Sequence, residues 1–323
     1  IKSSRIKKKH ISSQRKKSSV IIFLPKKIEI ITKNGRGRRG RERQTSKEMT
    51  TRQFQKAILE WFAKNGRHDL PWRRTENPYR ILVSEVMLQQ TQVDRVVGYY
   101  RAFLKSFPTA RALAGASPAD VLRVWKGLGY NRRALNLQRA AQMIVRDFCG
   151  RFPRDVIQIE KLPGVGPYTA RAVCVFAFNQ PQVLIETNVR RVFIYFFGNR
   201  NDISDKELLP IIERALYRKN YRMWYNALMD YGALALGHIE NPNRKSRHYT
   251  KQSRFEGSRR YARAKILDYL LQHSSGTLIG LQRFFENDPH LKEYRPSLES
   301  LLATLAAEGF IARKGRGWML KGQ

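Results

Sequence analysis

At 323 residues with 42% hydrophobic content, the chain carries enough apolar side chains for a sizeable core, which excludes a wholly disordered protein. Its 62 Lys and Arg against 26 Asp and Glu leave a formal charge of +36, a balance that suits a polyanionic partner far better than a small neutral substrate. The longest early apolar run, residues 20–24, falls far short of the roughly 20 residues of a membrane span and of the core of a secretory leader, so the reading is a cytoplasmic protein with no membrane partner.

Residues 1–48 hold 17 Lys or Arg and 3 Glu, a net +14, without sustained apolar periodicity. They read as a disordered basic tail: either a translation artefact upstream of Met49, the first methionine, or a real arm that adds phosphate affinity. The amphipathic series Phe54, Ile58, Leu59, Trp61 and Phe62 places the start of the folded protein at Met49. From there to Leu236, stretches of helical period are separated by Pro71, Pro78, Pro108, Pro118, Pro153, Pro163 and Pro210, all expected helix boundaries, and the body is expected to be all-α. Cys149 and Cys174 are too few for a disulfide framework and wrongly spaced for a metal site, so both are expected to be small buried apolar residues. Residues 237–258, with Arg244, Lys245 and Arg247, read as a basic linker or a DNA-facing loop. Residues 261–271, 278–285 and 296–308 then have helical patterns, and 310–313 with 318–320 read as a β-hairpin around a basic turn. Residues 259–323 are therefore expected to form a small winged-helix-like domain, serving DNA, a partner protein or structural support.

Three segments carry chemistry. The glycines of Leu162-Pro-Gly-Val-Gly-Pro-Tyr-Thr-Ala170 allow a tight turn that exposes backbone N–H groups at a helix start, a geometry that holds a phosphate but is also common in structural turns. Eighteen residues after Tyr168, Glu186 interrupts an apolar run just before a helix, either as a cap or as a functional carboxylate. Ile81-Leu-Val-Ser-Glu-Val-Met-Leu88 is apolar except at Ser84 and Glu85, so a helix here presses the Glu85 carboxyl toward the buried side and raises its pKa. The plain alternative is a partly exposed acid bonded to a backbone group.

In order along the chain, Ser84-Glu-Val-Met-Leu-Gln-Gln-Thr-Gln-Val93, Trp125-Lys-Gly-Leu-Gly-Tyr130, the glycine turn and Glu186-Thr-Asn-Val-Arg-Arg-Val192 resemble the motif series of adenine DNA glycosylases, of the helix-hairpin-helix, endonuclease-III-like superfamily. Leu70-Pro-Trp-Arg73 and Pro78-Tyr79 add to the resemblance. It implies a two-lobed helix-hairpin-helix body over residues 49–236 and a monomeric, nucleoid-associated base-excision enzyme acting on mismatched double-stranded DNA. It implies Glu85 as the acid that protonates the flipped adenine and Glu186 as the carboxylate that stabilises an oxocarbenium-like sugar. Tyr168 matches a residue beside the sugar, and Asn188 supports the carboxylate or a phosphate. For DNA contact it implies Gln89 and Gln90 in the space left by the flipped base and Tyr130 as the wedge. Arg132 and Arg133 after the wedge, Gly164, Val165, Gly166 and Thr169 of the hairpin, and the cations Arg190, Arg191, Arg244, Lys245 and Arg247 complete the expected DNA contacts. Bifunctional relatives carry a Schiff-base lysine where Tyr168 stands, so hydrolysis without strand cleavage is expected.

Three departures from the family pattern matter. Glu186 stands where aspartate is usual. The four-cysteine iron–sulfur motif is missing, so no cofactor is expected beyond a monovalent cation that hairpin carbonyls hold in relatives. The β-rich domain with which bacterial relatives check for oxidised guanine is replaced by residues 259–323, and Asn131 takes the place of an aromatic. The expected reaction is excision of adenine opposite guanine or 8-oxoguanine. The alternatives are thymine or uracil excision from G mismatches, and DNA binding by an inactive member of the same fold; only the adenine reaction demands the Glu85 acid.

Overall fold

The computed structural model describes residues 49–198, 200–250 and 254–322, and the expectations for residues 1–48 lie outside them. Helix α1 (Thr51–Asn65) begins with a capping box, in which the Thr50 hydroxyl accepts from the Gln53 amide at 3.2 Å and the Gln53 side chain accepts from the Thr50 amide at 2.8 Å. It buries Phe54, Ile58 and Phe62, one face of the series seen in the sequence. There follow α2 (Pro78–Leu88), α3 (Val93–Ser106), α4 (Ala110–Gly115), α5 (Pro118–Trp125) and α6 (Arg132–Asp147). The body ends with α7 (Val156–Glu160), α8 (Pro167–Phe178), α9 (Thr187–Phe197), α10 (Asp205–Arg214) and α11 (Tyr221–Asp230). Prolines open α2, α5 and α8, where a missing N–H costs nothing. Pro210 corrects the expectation of a boundary: it lies inside α10, whose Leu208 and Ile212 are buried, and that packing carries the helix through the lost bond.

The helices form two lobes. One is built from α2 to α8, which pack on one another around Trp125, Phe103 and Val83. The other joins α1 to α9, α10 and α11, and its centre is Phe54, met edge-on by Phe193, Phe196, Phe197 and Trp224. Each large side chain buried this way stabilises the fold by roughly 1.5–3 kcal/mol. A charge cluster ties the connection after α1 to α11: the Asp230 carboxylate, wholly buried, accepts from Arg67 and from Arg73, the latter at 2.6 and 2.9 Å. Burial opposes that charge, but Arg73 and Arg67 outweigh it and hold the Asp230 pKa below the ordinary range.

After α11 the chain continues as a π turn (Tyr231–Ala235) and short 3-10 turns (Leu236–His238, Pro242–Lys245). The stretch expected as a linker or loop is instead partly packed against α9. Asn243 is buried and donates to the Thr187 carbonyl at 2.9 Å, and Ile203 bridges to Ser246 in parallel. Asn243 and Ser246 are buried although both are polar, so polarity was a poor guide to exposure there.

Residues 259–322 fold as α12 (Arg259–His273), β1 (Gly276–Thr277), α13 (Leu278–Glu286), α14 (Leu298–Ala307), β2 (Ile311–Lys314) and β3 (Gly317–Leu320). The strands form an antiparallel sheet of order β1-β3-β2, with Ile311 opposite Leu320 and Gly276 opposite Trp318. Strand β1 was not expected, because two residues are too few to show an alternation. Cys149 also corrects an expectation. It is exposed at φ +53°, just past the end of α6, where the left-handed turn carries its side chain outward, whereas Cys174 is buried in α8.

Candidate active site

A cavity of about 530 Å³ lies at the seam of the two lobes, walled by α2, α8, the start of α9 and α11. Glu85, Tyr168, Glu186 and Asn188 all line it, together with Gln89 and Gln90, so residues more than a hundred positions apart in the chain share one space. Trp72, Asn226 and Met229 are also among its lining residues. Trp72 stood in a motif segment, but nothing in the sequence around Asn226 and Met229 marked them.

The elements fix each group for local reasons. Asn77 caps α2 and buried Ile81, Leu82, Val86 and Met87 seat it, which turns Glu85 toward the cavity with only part of its surface exposed. Burial pushes the Glu85 carboxyl up to about 8, and the nearby Glu186 charge adds to the shift. Glu186 is the N-cap of α9. Its Oε1 accepts from the amides of Asn188 and Val189, each at 2.8 Å, and its Oε2 accepts from the Asn188 side-chain amide at 3.2 Å. The geometry is that of a cap, made by the group also expected to be the functional carboxylate. Burial raises its pKa, while the two backbone donors and then Arg190 and Arg191 pull it down. Of the two carboxyls, Glu186 has the donors and the helix N-terminus that favour a charge, so the proton belongs on Glu85. Tyr168 stays a neutral phenol, its pKa raised by burial and then by Glu85 and Glu186. Gly232 backs this arrangement: a Cβ there would lie 2.4 Å from the Asn188 carbonyl, so only glycine lets the π turn approach α9.

The profile of the HhH-GPD superfamily of base excision DNA repair proteins matches residues 83–216. A thymine/uracil-DNA glycosylase of Pyrobaculum aerophilum is 36% identical over 165 residues, which cover 51% of this chain and 70% of that protein. The chain belongs to the HhH-GPD superfamily. An adenine DNA glycosylase of Buchnera aphidicola subsp. Baizongia pistaciae is 39% identical over 188 residues, 58% of this chain, and the chain spans about half, 54%, of that relative's length. The structure of a thermostable thymine-DNA glycosylase superposes with a TM-score of 0.54 at 28% identity, covering 60% of this chain and 91% of that one.

The superfamily hairpin runs from α7 through residues 161–166 into α8, with Gly164 and Gly166 exposed. Gly164 has φ +77°, and a Cβ there would meet Asn136 at 2.6 Å, so both the backbone and the space require glycine. Val165 is buried and its amide donates within the turn to Leu162. Thr169 is buried too, accepting from Gln89 Nε2 at 3.3 Å.

Several expected DNA contacts have other employment. Arg133 is buried, and its Nη1 donates to the carbonyls of Val86, Met87 and Gln89 at 2.9, 2.9 and 2.5 Å, satisfying the end of α2. Its Nη2 reaches Thr91 Oγ1 and the Gly129 carbonyl, at 3.2 and 3.0 Å. Arg190 forms a two-pronged pair with Asp205 at 2.7 Å, and Arg191 donates to the Gly232 carbonyl at 2.8 Å. These three cations are engaged by partners within the protein. Arg132 is exposed, Lys245 is half-buried, and Arg244 and Arg247 are exposed in surface pairs with Glu240 and Asp202, which a phosphate can displace. Tyr130 lies at φ +49° in the turn after α5, lining not the Glu85 cavity but a neighbouring cleft.

Proposed function

We propose that the protein is a monofunctional DNA glycosylase that hydrolyses the N-glycosidic bond of adenine mispaired with guanine or 8-oxoguanine. One observation carries the reading: an acid with its pKa near 8 and a hydrogen-bonded carboxylate line one nucleoside-sized cavity, with a tyrosine and no lysine amine between them. Adenine is a poor leaving group until a ring nitrogen is protonated. Glu85 donates that proton, the C1′–N9 bond breaks with its electron pair leaving on the base, and Glu186 faces the cationic sugar. Water adds to C1′, its proton passes to a carboxylate, and an abasic site remains. Tyr168 cannot form a Schiff base, so the strand stays intact under neutral, amine-free conditions. The adenine DNA glycosylases among the relatives support the choice of base.

The same reading dispenses with an iron–sulfur cluster. Four thiolates are the usual ligand set, and this sequence has two cysteines, one exposed beyond α6 and the other buried in α8. A monovalent cation at the hairpin carbonyls remains part of the proposal. Among the described residues no helix is long and apolar enough to cross a membrane, and the acting form is proposed to be a monomer on mismatched duplex DNA.

A second reading has its own support, since the Pyrobaculum thymine/uracil relative is matched over 70% of its length. Single-turnover assays of the full chain on A·G, A·8-oxoguanine, T·G and U·G duplexes, developed with alkali, separate the readings. Adenine release that is lost in Glu85→Gln is the expected outcome. Release of thymine or uracil alone selects the second reading, and silence on all four duplexes sinks both in favour of a binding protein.

A further inference from the structure

A cleft of about 900 Å³ runs between residues 126–130 and α12. Gln90 and Thr91 line both this cleft and the Glu85 cavity, so the two adjoin on one surface. Arg95, Lys126 and Arg132 project into it from the body, and Arg260 and Lys265 from α12. Its lining acids are Asp268 and Glu308, and Glu308 is paired with Arg263 at 2.7 Å. Arg260 stacks on the Tyr130 ring, 5.2 Å from its centroid, and donates to its hydroxyl, so α12 touches the expected wedge directly.

The placement of charge within the C-terminal unit is informative. In helix-turn-helix order, α14 is the helix that would enter a major groove. Its exposed positions are Glu299, Ser300, Ala303 and Ala307, none of which is a cation or presents the long donors that read bases. At its far end the body holds it, because Arg139 donates to the Glu308 carbonyl at 2.8 Å. By contrast, Arg259, Arg260, Arg263 and Lys265 crowd the first half of α12, and its first turn has no acid. Cations there oppose the helix dipole, so the sequence tolerates a less stable helix start to keep positive charge at the cleft.

We propose that the cleft between α12 and residues 126–130 binds the phosphodiester backbone of the duplex beside the flipped nucleotide, so that the C-terminal unit clamps DNA through its first helix and reads no bases. This rests on the glycosylase reading for its partner. The test is fluorescence anisotropy of the full chain on matched and mismatched duplexes of about 20 base pairs across a salt series. Wild type is compared with a Lys126→Gln/Lys265→Gln pair in the cleft and a Lys314→Gln/Arg316→Gln pair at the hairpin tip. The cleft pair is expected to reduce the slope of log affinity against log salt by about 2, since each lost phosphate contact removes roughly 0.9, and to weaken both duplexes equally. The hairpin pair is expected to leave the slope within about half a contact of wild type. An unchanged slope in the cleft pair, an equal loss in the hairpin pair, or a loss confined to mismatched DNA overturns the clamp. Single-turnover base release keeps the two claims apart. A wild type that releases no base while the cleft pair still lowers the slope refutes the glycosylase reading and leaves the clamp standing.

Discussion

Glu85 and Glu186 share a cavity but not their partners, and that asymmetry sets the pH behaviour. Glu85 is raised to about 8 by burial and by Glu186, so its proton is present below about pH 8 and lost above it. The proposed reaction needs Glu186 charged, and its burial moves its protonation upward from the ordinary carboxylate range. The single-turnover rate is therefore expected to trace a bell, with an alkaline limb near pH 8 and an acid limb above the usual glutamate value. A flat alkaline side would remove Glu85 as the acid. The same shift has a stability consequence. The unfolded chain releases the Glu85 proton near pH 4.5 and the folded chain near 8, so wild type loses stability across that window while a glutamine does not titrate. Glu85→Gln is expected to melt like wild type at pH 4 and a few degrees higher at pH 9, read by calorimetry. The raised pKa of Glu85 was legible in the sequence because the residue stands inside an apolar helix that presses it toward the core. The internal partners of Arg133, Arg190 and Arg191 were not, since nothing local distinguishes an arginine that faces phosphate from one that meets carbonyls or a carboxylate distant in the chain.

At the scale of elements, α2 ends one turn after Glu85, and the carbonyls it leaves unpaired are met by one arginine from α6. Burial lowers the Arg133 pKa to about 10, which still leaves it charged at neutral pH. Its guanidinium also lies 5.4 Å from the Trp125 ring centroid and 5.3 Å from that of Tyr130, so it couples α2 to the turn that carries the expected wedge. Replacing Arg133 by methionine keeps bulk but orphans those carbonyls, and urea unfolding is expected to show a loss of about 3 kcal/mol. A change below about 0.5 kcal/mol would mean that water serves the carbonyls equally well. The helices themselves were largely legible, because proline punctuation and 3.6-residue periodicity are local. Pro210 inside α10, the two-residue β1 and the packed segment after α11 were not, for each is decided by contacts with distant residues: the lobe that holds α10, the β3 strand beside β1, and α9 under Asn243.

Over the whole molecule, charge and chemistry occupy different places. The cavity that holds the two carboxyls sits between the lobes, the cationic cleft adjoins it, and a further +14 of the total +36 lies in residues 1–48. Long-range attraction to a polyanion raises the encounter rate and the affinity for any sequence, but it does not differ between ground and transition states once DNA is bound. Cations in residues 1–48 should therefore change how tightly the protein holds DNA and not the rate of the proposed glycosidic-bond cleavage. Deleting residues 1–48 is expected to weaken binding to matched duplex on the order of tenfold at low salt, with the difference fading as salt rises. The single-turnover rate at saturating protein is expected to stay within about twofold of the full chain. The measurement is a pair of salt titrations beside one rate determination on an A·G duplex. A rate that falls with the deletion would place part of residues 1–48 at the reacting nucleotide, and the division between holding and chemistry would have to be redrawn.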